Sequence, residues 1–166
     1  MAKGGPMAKR SRSDVVVAHM DKPFDVVIWG WLLVDDEVAN PKPGEVLSGL
    51  QLHIGPLGPR YGELMEPLTV QATVEWVRFD EENHRINTVI GVDGNRLLHT
   101  APAHSEDPLP AIGSSFELTG FVWSLPFYDS EDVEIPDAFG LTQEWRVLSM
   151  RPVPDDDSLI VEIEPV

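Results

Sequence analysis

The chain has 166 residues, no cysteine and a formal net charge of −16. A length of this order fits one domain, and 42% apolar residues supply a core. The missing cysteines exclude disulfides, thiolate metal sites and cysteine nucleophiles. The charge is uneven: residues 1–13 (MAKGGPMAKRSRS) hold four basic residues and no acid, which leaves 8 basic against 28 acidic residues, or −20, over 14–166. Such a body repels nucleic acid and anionic membranes but not a basic partner protein, a cation or a neutral ligand, and the charge also fits solubility alone.

In chain order, residues 1–20 read as a disordered basic tail and residues 21–166 as one all-β domain. After the basic residues the apolar stretch is only Val15–Ala18, far shorter than a secretory signal requires, so a cytoplasmic location is expected. Residues 24–38 (FDVVIWGWLLVDDEV) form the most apolar segment. Its uninterrupted run, Val26–Val34, is too short to span a bilayer, for which about twenty residues are needed. Gly30 stands mid-run among β-branched and aromatic residues, which favours a strand covered on both faces. Trp29 and Trp31, two apart, then share a face.

A Pro/Gly loop (39–45) leads to a strand over 46–55, where Leu50, Leu52 and Ile54 alternate with Gly49, Gln51 and His53. His53 thus falls on the polar face, where solvation is expected. Residues 56–63 (PLGPRYGE) form a second Pro/Gly loop, expected to cover an end of the fold. Over 68–79, Val70, Ala72, Val74 and Trp76 point one way and Gln71, Thr73 and Glu75 the other. The polar DEENH (80–84), the return RINTVIGV (85–92) and Asp93–Gly94 before NRLLHT (95–100) describe a three-stranded antiparallel meander. A proline-bearing loop (101–113) follows, then a strand over 114–128 with Gly120 as a bulge or sharp coil, an acidic excursion over 129–139, and two closing strands over 142–153 and 158–166.

These segments predict an all-β fold: a single small antiparallel barrel, or a sandwich, of about seven strands with long Pro/Gly loops and no long helix. Interior glycines (Gly30, Gly91, Gly120) suit the coiled strands of a closed sheet.

No motif discloses a reaction. There is no G-x-S-x-G, no G-x-G-x-x-G and no P-loop. His99 and His104, near Glu106 and Asp107, carry metal-ligand atom types, but the intervening proline leaves no helical face to align them, and they read as loop histidines in water. DSEDVE (129–134) lacks the glycine and closing glutamate of a calcium loop. No catalytic residue, metal or cofactor is therefore assigned.

Two groups remain as binding candidates. Trp29, Trp31 and Trp76 can line a ligand cavity, against the alternative that they pack the core. Asp129, Glu131, Asp132, Glu134 and Asp137 can form a face for a basic protein. Arg78, Arg85 and Arg96 are placed to cluster across the meander, which an oligonucleotide-binding barrel would need.

The motif order also resembles small uncharacterised all-β proteins of actinobacteria, a domain of unknown function. The resemblance is carried by Trp29–Gly30–Trp31 running into Asp35–Asp36–Glu37, by EENHR (81–85) before INTVIGV, and by TGFVWSL (119–125), and it covers about residues 25–150. It implies a bacterial cytosolic origin and attaches no activity or ligand. Three functions are compatible with the residues: a non-enzymatic acidic module that binds another protein, with an inhibitor or immunity-like role as a subtype; a small-molecule-binding barrel, with or without catalysis; and, with least support, an oligonucleotide-binding barrel.

Overall fold

A computed structural model describes residues 17–30, 33, 41–125, 135–136 and 142–166. Alternating apolar residues produce eight strands: β1 (Phe24–Ile28), β2 (Val46–Gly55), β3 (Leu68–Asp80), β4 (Arg85–Val92), β5 (Asn95–Pro102), β6 (Ser115–Leu125), β7 (Thr142–Pro152) and β8 (Leu159–Pro165). One helical turn, α1 (Tyr61–Leu64), interrupts them. The all-β expectation holds. The strands outnumber the expected seven because every segment read as extended pairs into the sheet.

Each strand bonds to the next in the order β1-β6-β3-β4-β5-β2-β7-β8, and β8 returns to β1. A further β2–β6 pairing crosses this closed ring. Two smaller circuits result, β6-β3-β4-β5-β2 and β6-β2-β7-β8-β1, which share the β2–β6 pair. The predicted meander is β3-β4-β5, turned at Asp93 (φ 51°) and Gly94 (φ 84°).

The inward positions build the main core. Val26 and Ile28 of β1, Leu50, Leu52 and Ile54 of β2, Val70 and Ala72 of β3, Ile90 of β4, Leu97 of β5, Val122 of β6, Trp145 and Val147 of β7, and Val161 and Ile163 of β8 are all buried in it. Each such aliphatic side chain contributes about 1.5–3 kcal/mol by leaving water. Trp145 meets Phe24 edge-on at 5.4 Å.

A second cluster lies on the other face of β1 and β8. Val27 and Ile160 alternate with the inward residues and pack with Tyr61, Met65 and Val153, flanked by Trp29, Leu57 and Trp123. The 56–67 segment with α1 therefore covers an outer face of the sheet, and not an end as the sequence suggests. β1 is covered on both sides, as its unbroken apolar run implies. Its length is a correction: the strand stops at Ile28, and Gly30 and Leu33 take helical backbone. The cause is local. The Gly30 amide donates to Ser158 Oγ at 2.9 Å, and a Cβ on Gly30 would stand 2.6 Å from the Asp157 Cβ and 2.8 Å from its carbonyl carbon. The chain leaves the ladder to meet the turn before β8.

The N-terminal boundary also moves. Residues 17–20, assigned by sequence to the tail, are part of the domain. The Ala18 amide donates to the Thr69 carbonyl at 2.7 Å, and Met20 is fully buried in the main core. The Met20 amide donates to Asp93 Oδ2 (2.8 Å), while Asn95 Nδ2 donates to the Met20 carbonyl (3.2 Å). Asn95 Oδ1 in turn accepts from Gln143 Nε2 at 3.1 Å. Asn95→Ala would strand two polar partners at a buried position. It is expected to cost about 1–3 kcal/mol in urea unfolding and to speed hydrogen exchange at the Met20 amide; an unchanged midpoint would show that the clasp does not hold the segment.

Candidate functional site

Trp29 and Trp76 sit at different places in the fold, Trp76 within β3. Trp29 lies just beyond β1 and meets Tyr61 edge-on at 6.0 Å, in the outer cluster. Trp76 was expected to face inward with Val74. A register shift between Val74 and Trp76 turns it to the outer face, opposite Val89. Glu75, at that shift, lies over Gly91, where a Cβ would collide with its carboxylate, and accepts from Arg96 Nε at 2.7 Å. Trp31 lies outside the described residues, as do Asp129, Glu131, Asp132, Glu134 and Asp137.

The residue that sequence reasoning missed is His53. Strand pairing sets a continuous row across the outer face: Trp76 opposite Val89, Val89 opposite Leu98, Leu98 opposite His53, and His53 opposite Trp123. Val89 and Leu98 are buried in this row although they turn away from the main core. The His53 ring stacks on the Trp123 indole with centroids 4.3 Å apart and planes 15° apart. Gly55 leaves room beside the stack, because a Cβ there would stand 3.2 Å from Trp123 Cη2.

Burial pushes the His53 imidazole down to about 3, with smaller contributions from His99 and Arg85. The ring is thus neutral at physiological pH. The expected solvated histidine is instead an aromatic spacer between strands. The signal was the H-x-G pattern with a tryptophan elsewhere, legible only once β6 is known to lie beside β2.

His99 and His104 do not form a metal pair. His99 belongs to β5, where Nδ1 lies 3.0 Å from the Ile54 carbonyl and the ring is 6.5 Å from Phe116. His104 begins a turn whose amide donates to Asp107 Oδ2 at 2.7 Å. His19, Asp21 and Asp93 do bring ligand atoms within 4.8 Å of one another on the surface. The Asp93 carboxylate is already engaged by the Met20 amide and the His19 ring, so the group serves as the clasp of the N-terminal segment. Among the described residues, no serine, histidine and carboxylate are joined in a hydrogen-bonded chain.

The arginines do not make a basic surface. Arg85 pairs with Asp80 at 3.0 Å, Arg96 with Glu75 at 2.7 Å, Arg146 with Glu164 at 3.6 Å, Arg151 with Asp25 at 3.2 Å and Arg60 with Asp156 at 3.9 Å. Arg60 also donates to the Pro154 carbonyl and lies 5.9 Å over the Tyr61 ring. Arg78 is engaged as well. The side-chain and backbone hydrogen bonds from Asn83 hold the Asp80 carboxyl below its usual range, assisted by Arg85, and those from Ser158 do the same for Asp156. Tyr61 is raised by burial and by Asp156. Arg85 and Arg96 of the three meander arginines are thus held in separate ion pairs.

Glu45, Glu63, Glu66, Glu81, Glu82, Glu106, Glu117 and Glu144 stand exposed around these pairs. No helix among the described residues is long and apolar enough to cross a membrane. Compared with known proteins, the chain matches no family model, no curated protein and no solved structure.

Proposed function

We propose that this chain is a non-enzymatic, acidic β-barrel module of the bacterial cytoplasm that binds another, basic protein, with an inhibitor or immunity-like role as one subtype. The observation that carries this reading is the pairing of the arginines. The described guanidinium groups are engaged within the fold, so the surplus carboxylates are left to set the field of the surface. A surface of that kind steers a cationic partner and repels phosphate. The acids of 129–137 add to the same field by sequence alone. Trp29 packs edge-on against Tyr61 in the outer cluster, which supports this reading over a ligand cavity lined by the tryptophans.

The test is co-purification of the full chain from its native cells at low salt, followed by a step to about 0.5 M salt, where the screening length falls to a few ångströms. A stoichiometric basic protein released by the step is the expected result. An associated protein indifferent to ionic strength, or a thermal shift with a small molecule and no protein partner, would overturn the reading.

A further inference from the structure

The loop between β5 and β6 is pinned by hydrogen bonds and displays apolar side chains. It holds two of the exposed large hydrophobic residues, Leu109 at 49% and Ile112 at 67% exposure. Two apolar side chains exposed three residues apart on one loop offer burial to a partner.

The loop is held firmly at both ends. At its start the Ala103 amide donates to the His84 carbonyl (3.0 Å), and His104 and Asp107 close a turn through two bonds of 2.7 and 2.9 Å. At its end the Gly113 amide donates to the Val74 carbonyl (2.7 Å), the Val74 amide to the Ser114 carbonyl (2.9 Å), and Ser114 Oγ to the Ala111 carbonyl (2.5 Å). Gly113 sits at φ 88°, where a side chain would be strained. Pro108 and Pro110 flank Leu109, and a proline fixes its own φ and holds the preceding residue extended. A segment restrained in this way loses little conformational entropy on binding.

Exposed acids gather at the start of the loop. Glu106 and Asp107 lie on the loop, and Glu81 and Glu82 are exposed on the 80–84 turn to which Ala103 is bonded. The nearby Arg85 is paired with Asp80.

We propose that the 103–113 loop is the anchor of the protein interface, with Leu109 and Ile112 entering an apolar pocket on the partner whose rim carries Lys or Arg side chains that meet Glu81, Glu82, Glu106 and Asp107. This rests on the reading of the chain as a partner-binding module and names the segment and the partner surface. Apolar anchors supply the burial, and the acidic rim supplies orientation and encounter rate.

A random peptide library displayed on phage, selected against the immobilised full chain, tests it directly. A parallel selection uses the Leu109→Ser/Ile112→Ser double variant, whose changes lie at exposed positions and leave the circular dichroism and melting temperature unchanged. The expected peptides combine Lys or Arg with an aliphatic or aromatic residue, bind the double variant at least about tenfold more weakly, and weaken also on Glu81→Gln/Glu82→Gln. Basic peptides that bind wild type and double variant equally would overturn the loop assignment while the partner-binding reading stands. Failure to enrich basic peptides on either protein would sink both. Concentration-dependent self-association of the wild type that the double variant loses would give the pocket to a second copy and overturn the partner assigned.

Discussion

Gly120→Ala is expected to lower stability by about 3 kcal/mol, a shift of roughly 6–12 °C in melting temperature for a domain of this size. The reason is the closeness of β6 to β2. A Cβ on Gly120 would stand 2.9 Å from the Gly55 carbonyl oxygen and 3.0 Å from both its Cα and its amide nitrogen. Those are backbone atoms of a strand fixed by pairing on either side of the contact, with Gly55 opposite Phe121 and Leu68 opposite Gly120. Neither strand can withdraw without breaking the β2–β6 pairing that the two strand circuits share. Gly58→Ala is the control, since nothing lies within 4 Å of its added Cβ, and it should leave the melting temperature within error. Equal effects at the two positions would show that lost glycine flexibility, and not the contact, governs the result.

Acidification supplies the second large effect. His53 has a folded value of about 3 against 6.5 for an unperturbed imidazole. Between those values the unfolded chain binds a proton that the folded one refuses, so stability rises with pH there. The contribution is fully present above pH 6.5 and is lost progressively as the pH falls towards about 3. The full shift corresponds to an upper bound of about 5 kcal/mol, and the partial opening of the ring to water brings the expected loss to roughly 2–4 kcal/mol.

Asp80 and Asp156, both lowered, add their own loss at more acid pH and do so in wild type and variant alike. His53→Phe retains a ring to stack on Trp123 and has no proton to bind. Its unfolding free energy should therefore vary less than that of wild type between pH 6.5 and 4 in urea titrations at fixed ionic strength. Parallel profiles for the two proteins would mean that the ring is solvated in the native state.

How far the sequence carries the reader depends on the range of the interaction that decides each position. Strands were legible because burial of one face imposes period two on Leu50–Leu52–Ile54 or on Val161–Ile163, a property of neighbours in the chain. The β4–β5 turn was legible because Asp93–Gly94 must supply positive φ at both positions. The end of β1 was not legible: Trp29–Gly30–Trp31 looks like more strand, and what stops it is a Ser158 hydroxyl and the Asp157 backbone, far along the chain. Trp76 was misplaced by the irregularity beside Glu75, where the side chain that lies over Gly91 and pairs with Arg96 shifts the register. His53 was misplaced because alternation gives its face but not what arrives on that face, and β6 brings Trp123 there from a distant part of the chain. The acids of 129–137 keep their place in the argument through charge alone.

Electrostatic recognition of a cationic protein, by a surface whose described guanidinium groups are engaged within the fold, is the central proposal. The measurement that reaches it most directly is the association rate constant of the co-purified partner as ionic strength is raised from about 20 to about 500 mM. A fall of roughly ten- to a hundredfold is predicted, with the dissociation rate changing much less. An association rate that stays flat across that range would contradict it.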